Sequence, residues 1–110
     1  YDPPTGPVLA ELNVDGKQIP AAIQVTKQGM VYTFNRVTGE PVWPIVETPV
    51  PQNGVPGEQL SPTQPIPSKP APFETVGLKE DDLIDFTPEL RAEALNILKS
   101  YTYGPLFTPP

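Results

Sequence analysis

Gln24-Val25-Thr26-Lys27-Gln28-Gly29-Met30-Val31-Tyr32-Thr33-Phe34-Asn35-Arg36-Val37-Thr38-Gly39-Glu40-Pro41-Val42-Trp43 is the stretch on which the fold turns. It reads as two strands joined by a tight turn at Lys27-Gln28-Gly29. A second turn at Val37-Thr38-Gly39 then leads into a strand that carries the only Trp of the chain. Glycine suits both turns because it takes the positive φ that other side chains resist. One cation, Lys27, stands where the first of these strands gives out.

Upstream the pattern alternates with a period of two. Val8, Ala10, Leu12 and Val14 share one face of a strand, and Ile19, Ala21, Ile23 and Val25 share one face of the next. Asp15-Gly16 between them is a hairpin signal, since both residues tolerate the φ that primed turns require. Met30, Tyr32 and Phe34 extend the same apolar face onto a third strand, with Leu9, Ala22 and Val31 opposed to it. Pro41 to Val46 makes a fourth strand, which gives four short antiparallel strands in roughly 40 residues. Such a unit is either a small free-standing sheet or one blade of a β-propeller. Apolar residues on both faces favour the blade, because a lone sheet would leave one face wet. A single sheet with one helix also buries little against the entropy of ordering the chain.

Downstream, composition changes. Nine of the 18 prolines fall between Pro44 and Pro72. Proline cannot donate to a ladder or a helix, so this stretch reads as an extended surface wrap or linker. Pro62 and Pro65 also fit the spacing of a proline-rich ligand for aromatic grooves, and interleaved Val, Ile, Leu and Phe argue against plain disorder. The sequence becomes helical near its end. Thr87 is suited to an N-cap, Pro88 to the first helical position, and Glu89 to the positive end of the dipole. Leu90, Ala94, Ile97, Leu98 and Tyr101 fall on one helical face, Gly104-Pro105 stops the helix, and a short helical turn precedes it over Glu80 to Ile84. The expected class is mainly β: an antiparallel meander (residues 1–46), a Pro-rich extended segment (47–78), and a C-terminal segment with one α-helix (79–110).

Several function classes drop out on composition. A net charge of −6 does not suit a nucleic-acid partner, which needs clustered Lys and Arg. Cysteine and histidine are both absent, which removes thiolate nucleophiles, cysteine zinc sites and the commonest general base. Glu80, Asp81, Asp82 and Asp85 lie close together but lack the spacing of a calcium loop, so they read as a solvated helix start. No apolar run is long enough to cross a bilayer, and Tyr1-Asp2-Pro3-Pro4 is unlike a signal peptide. A start without Met suggests a chain cut from something longer.

The ordered set Asp2-x-Pro4-x-x-x-Val8-Leu9, Thr26-Lys27-Gln28-Gly29-x-Val31-Tyr32, Arg36-x-Thr38-Gly39-Glu40-Pro41, Pro49-Val50-Pro51-Gln52, Ser61-Pro62-Thr63-Gln64-Pro65 and Phe107-Thr108-Pro109-Pro110 spans nearly the whole sequence. It resembles the pyrroloquinoline-quinone-dependent dehydrogenases, eight-bladed propeller enzymes, and most of all their glucose-dehydrogenase-like branch. Thr33, Asn35, Thr38, Gly39 and Trp43 occupy the offsets of that family's blade signature. Thr33 and Asn35 replace its usual Ala and Asp. Gly39 and Trp43 are the structural members: Gly39 permits the turn, and the flat Trp43 ring stacks on a neighbouring blade.

The resemblance implies that Lys27 binds the cofactor, its ammonium meeting the carbonyl oxygens of the ortho-quinone and stabilising charge as hydride arrives. It places the general base immediately upstream of Tyr1, with Asp2 two residues too late for that role. It puts the ligands of calcium or magnesium, and the tryptophan floor under the cofactor, on other blades. The implied parent oxidises a sugar or alcohol and passes electrons to a quinone or cytochrome. It is periplasmic, with any membrane anchor outside this stretch. The implied partners are the remaining blades, the substrate and the electron acceptor. The isolated chain should be inactive, and marginally stable or self-associating because the face carrying Trp43 lacks its neighbour. The rival reading is a non-catalytic β module whose Pro-rich arm serves structure or partner binding.

Overall fold

A computed structural model describes all residues, Tyr1–Pro110. Strands β1 (Val8–Val14), β2 (Lys17–Val25) and β3 (Val31–Asn35) form an antiparallel sheet in the order β1-β2-β3. The β1–β2 turn is the expected one: Asp15 and Gly16 both take positive φ, 51° and 78°, and Val14 pairs with Lys17 across them. Ala10 and Asn35 flank Ala21 in register, and Ala21 is wholly buried. Arg36 ties the sheet together from its far side. Its N–H donates to Pro20 O at 2.9 Å, Nη1 donates to Ala10 O at 3.1 Å, and Nη2 pairs with Glu11 Oε1. That ion pair is largely solvated, so its contribution is about 1 kcal/mol or less.

The third strand faces opposite to the sequence expectation. Val25 pairs with Val31 and Ile23 with Thr33, so Val31, Thr33 and Asn35 join the face of Ala21 while Tyr32 and Phe34 join Ala22. The reason is the turn. Gly29 takes φ 72° and its N–H donates to Thr26 O at 3.2 Å, while Thr26 N–H donates to Met30 O at 3.0 Å. This is a three-residue loop with a glycine bulge, and one added residue reverses every side chain that follows.

The fourth strand is also reduced. Pro41 makes one bridge to Phe34, and Val42 N–H donates to Thr33 O at 2.9 Å. Pro41 and Pro44 lack the donors to carry the ladder further. The segment expected to complete the meander instead enters β4 (Ile45–Pro49), which pairs with β5 (Thr63–Pro67) in a separate two-stranded sheet. That ribbon tolerates its prolines by parity. Ser68 N–H donates to Pro44 O at 2.9 Å and Val50 N–H donates to Pro62 O at 3.2 Å, so even-numbered positions face the partner strand. Pro49, Pro65 and Pro67 occupy odd positions, where no ladder donor is needed.

The chain forms two compact units: residues 1–48 with 64–75, and residues 49–63 with 76–110. The class is as expected, mainly antiparallel sheet with one C-terminal helix. In the second unit a short 3₁₀ turn covers Glu80–Asp82 and helix α1 spans Pro88–Leu98. Thr87 caps α1 as read from sequence, its Oγ1 accepting the Leu90 N–H at 3.2 Å. The helix ends before Gly104. Past Lys99, Ser100-Tyr101-Thr102-Tyr103 are weak helix formers, and Ser100 and Tyr101 make tighter i→i−3 bonds to Ile97 O and Leu98 O. The inward stripe is Arg91, Ala94, Leu95 and Leu98, whereas Leu90, Ile97 and Tyr101 are exposed. Arg91 turns inward because Nη1 donates to Leu83 O at 3.1 Å.

The core is thin: Ala21, Met30 and Leu98 are the buried apolar residues, and no large side chain is fully buried. Gly77 closes the second unit. At φ 97° it bridges Pro105, and Leu78 N–H donates to Gly104 O at 2.9 Å. A Cβ on Gly77 would lie 2.8 Å from both Gly104 O and Leu106 N, which are backbone and cannot swing away. Gly77→Ala is therefore expected to cost on the order of 1–3 kcal/mol of local stability. Faster hydrogen exchange at the Leu78 amide would register it, and unchanged exchange would contradict it.

Candidate functional site

The Lys27 hairpin is the most tightly specified piece of the first unit. Thr26, at the base of the loop, is buried, and both its N–H and its Oγ1 donate to Met30 O at 3.0 Å. Gly29 and Met30 are buried on the other side. Lys27 and Gln28 occupy the two central positions of the turn, so the loop projects them outward while its base stays fixed. Lys27 is exposed and makes no hydrogen bond or ion pair within the chain. Gln28 is half-buried, and its Oε1 is shut away from solvent without a donor.

The first unit adds a second layer of restraint from residues 64–75. Phe73 N–H donates to Gly29 O at 2.8 Å, and the Tyr32 hydroxyl donates to Pro65 O at 2.7 Å. The second bond follows from the parity of the ribbon. Pro65 sits at an odd position, so its carbonyl points away from β4 and is left for another donor. Burial pushes the Tyr32 phenol pKa up, which keeps the hydroxyl a donor. On the lead-in side, Gln24 Nε2 donates to Thr5 O at 3.0 Å.

The second predicted pair sits one turn further on. Gly39 takes φ 79° with open space around its Cα, so backbone conformation rather than crowding asks for glycine there. Gly39 N–H donates to Asn35 O and Asn35 N–H to Glu40 O, both at 2.8 Å. Asn35 Oδ1 accepts the N–H groups of Val37 at 2.9 Å and Thr38 at 3.2 Å. A carboxylate oxygen would do the same, so Asn in place of Asp keeps the turn. Trp43 is half-buried by its own chain. Gly39 and Trp43 follow β3 within the first unit, away from the loop tip that carries Lys27.

The acidic group has local partners. Asp82 Oδ2 accepts Lys79 N–H at 3.0 Å and Glu80 Oε1 accepts the Tyr103 hydroxyl at 3.1 Å. The bond to Glu80 raises the Tyr103 pKa above its ordinary value. No three acidic side chains converge as metal ligands would. An open depression in the second unit is lined by Asp81, Asp85, Thr87, Pro88 and Arg91, none of them predicted to bind anything. What sequence reasoning missed is the contribution of Tyr32, Pro65 and Phe73, which are far apart in the chain and carry no motif that links them.

A short antiparallel meander with glycine turns, ending at a half-buried Trp, is a propeller-blade segment. The chain belongs to the family described as PQQ: Glucose/ethanol/alcohol dehydrogenase, beta-propeller domain, whose family model matches residues 1–110. It is 35% identical to the quinate/shikimate dehydrogenase (quinone) of Acinetobacter baylyi over 100% of this chain and 14% of that protein. It is 36% identical to the glycerol dehydrogenase large subunit of Gluconobacter thailandicus over 87% of this chain and 13% of the relative. To the quinoprotein glucose dehydrogenase of Escherichia coli it is 32% identical, over 99% of this chain and 14% of the relative. The chain thus spans only 13–14% of these relatives' lengths. No solved structure matches it. The ordered motifs had pointed to this family.

Two substitutions separate framework from site. Lys27→Ala removes an exposed side chain with no hydrogen bond or ion pair in the chain, and is expected to change stability by less than about 0.5 kcal/mol. Asn35→Ala leaves two N–H groups without their acceptor and should cost about 1 kcal/mol, while Asn35→Asp restores it. Unfolding measurements on the intact protein check the order. Equal losses for Lys27→Ala and Asn35→Ala would refute it.

Proposed function

We propose that this chain is a segment of a quinoprotein dehydrogenase that oxidises a sugar or alcohol carbon, with pyrroloquinoline quinone as cofactor. The observation that carries the reading is Lys27: an exposed ammonium with no partner of its own, on a loop whose base is held by Thr26 and by the Phe73 N–H. Residues 1–46 are the blade, 47–78 the Pro-rich extended segment and 79–110 the helical segment. The remaining blades lie outside these residues, and Trp43 and the exposed Val8 and Leu9 are where sister blades would cover this one.

The donor set suits the cofactor. An ammonium has three N–H bonds to give and none is engaged here, and quinone carbonyl oxygens accept such bonds. When bound, the quinone supplies the two-electron acceptor for a hydride leaving the alcohol carbon. Lys27 holds positive charge where negative charge accumulates, without having to reorganise at that moment. Gln28 and Gly29 shape the loop that presents it. The ligands of calcium or magnesium are assigned to other blades of the parent. The general base is likewise assigned outside the chain, and the segment alone would not turn over.

Electrons would leave to a quinone or cytochrome acceptor, and the compartment that fits such an enzyme is the periplasm. No helix here is long and apolar enough to cross a membrane. Any membrane attachment is assigned to a region outside these residues. The test is sugar- or alcohol-dependent dye reduction by the full-length protein, reconstituted with pyrroloquinoline quinone and calcium. Lys27→Ala should lower turnover by about 10²-fold or more, the size of losing one preorganised donor at a charge-bearing oxygen. Lys27→Arg, which keeps the charge but changes donor geometry, should fall between. Unchanged turnover in Lys27→Ala would reject the assignment.

A further inference from the structure

We infer that Tyr32 is a positioning residue for Lys27, acting through the arm of residues 64–75. The inference rests on the assignment of Lys27 above and extends it to a residue that does not itself meet the cofactor. Two contacts define the clasp. The Phe73 N–H donates to Gly29 O at 2.8 Å, at the bulge that sets the loop. The Tyr32 hydroxyl donates to Pro65 O at 2.7 Å, eight positions before Phe73 on the same arm. Tyr32 is the second residue of β3, directly after the loop. The arm is therefore fixed to the strand that leaves the hairpin and, further along, to the hairpin's own backbone.

The Pro65 bond governs the arm because little else in the chain can. Between Pro65 and Phe73, prolines at 67, 70 and 72 remove donors, so few backbone bonds are available. Outside the β4–β5 ladder, the backbone bond in that interval is Ser68 N–H to Pro44 O, at 2.9 Å. Without the hydroxyl, the arm keeps its ribbon end but loses the tie to β3, and the Phe73 bond to Gly29 then closes a longer, freer loop. Gly29 takes positive φ, and glycine has several other accessible conformations once its carbonyl is released. Lys27, two residues away and unpartnered, is then directed only by the turn's own bonds, Gly29 N–H to Thr26 O and Thr26 to Met30 O.

This reading makes a claim that a purely structural role for Tyr32 does not: its effect on the cofactor must pass through Lys27. The experiment is a double-mutant cycle on the full-length protein prepared without cofactor and titrated with pyrroloquinoline quinone, recording the dissociation constant and the absorption spectrum of the bound quinone. Tyr32→Phe is expected to weaken binding about three- to tenfold, the range one net hydrogen bond supplies. It should shift the spectrum in the direction that Lys27→Ala does. In the Lys27→Ala background, Tyr32→Phe should add no further loss. Hydrogen exchange at the Phe73 amide supplies a readout independent of the cofactor: protected in the wild type, faster in Tyr32→Phe.

The outcomes separate the two claims. If Lys27→Ala weakens binding and Tyr32→Phe does not, the clasp is wrong and the Lys27 assignment stands. Losses that simply add also overturn the clasp. If Lys27→Ala leaves binding and spectrum unchanged, the assignment itself fails. Free exchange of the Phe73 amide in the wild type would end the proposal whether or not any variant folds.

Discussion

Everything distinctive about the first unit depends on the backbone of Gly29. Its positive φ admits one extra residue between β2 and β3, and that residue decides which face each side chain of β3 presents. It buries Thr33 beside Ile23 and turns Tyr32 to the other face, from which its hydroxyl reaches Pro65. It also sets Lys27 and Gln28 at the tip, clear of the sheet. A two-residue turn here would keep the alternation intact and lose both the tyrosine contact and the projecting cation. The same small departure from a regular hairpin builds the sheet and the candidate site.

What could be read from the residues alone was whatever is encoded within a few positions. Asp15-Gly16 announces its turn because both residues accept the required φ, and Thr87-Pro88 announces the helix because a hydroxyl and a ring closure suit its first positions. Lys27 was placed at a loop tip for the same reason. The facing of β3 was misread because alternation was carried across a bulge that shows in sequence only as one glycine. The fourth strand was overdrawn because Val42, Trp43, Ile45 and Val46 look like a strand, yet Pro41 and Pro44 take away its donors. The helical stripe was misjudged at Leu90, Ile97 and Tyr101, since apolar spacing does not record that Arg91 turns inward to a carbonyl. The tie between Tyr32 and Pro65 spans 33 residues and has no local signature.

The second unit shows how a thin core is held by specific bonds instead of by volume. Thr87 caps α1, Arg91 reaches Leu83, Tyr103 reaches Glu80, and the Gly77–Pro105 bridge joins the start of the 76–110 stretch to its tail. The Thr87 cap and the Arg91 bond are each worth about 1 kcal/mol, and only Leu98 and Pro109 are buried to a degree typical of a core. Of the acidic residues there, Glu80 accepts from the Tyr103 hydroxyl and Asp82 from the Lys79 N–H. A charge cluster therefore reads as framework here, and the lone lysine of the other unit as chemistry.

The odd-numbered prolines of the β4–β5 ribbon have an effect beyond fitting in. A two-stranded ribbon normally offers two outer rims of unmatched N–H and C=O groups, and such rims recruit other chains into fibrils. Pro65 and Pro67 strip the donors from one rim, and Pro49 interrupts the other. Nothing can zip onto that side with a full set of bonds. The ribbon is a sheet that has been made sterile to growth, so a chain rich in exposed valine and isoleucine can keep an extended arm in water without inviting its copies to join it.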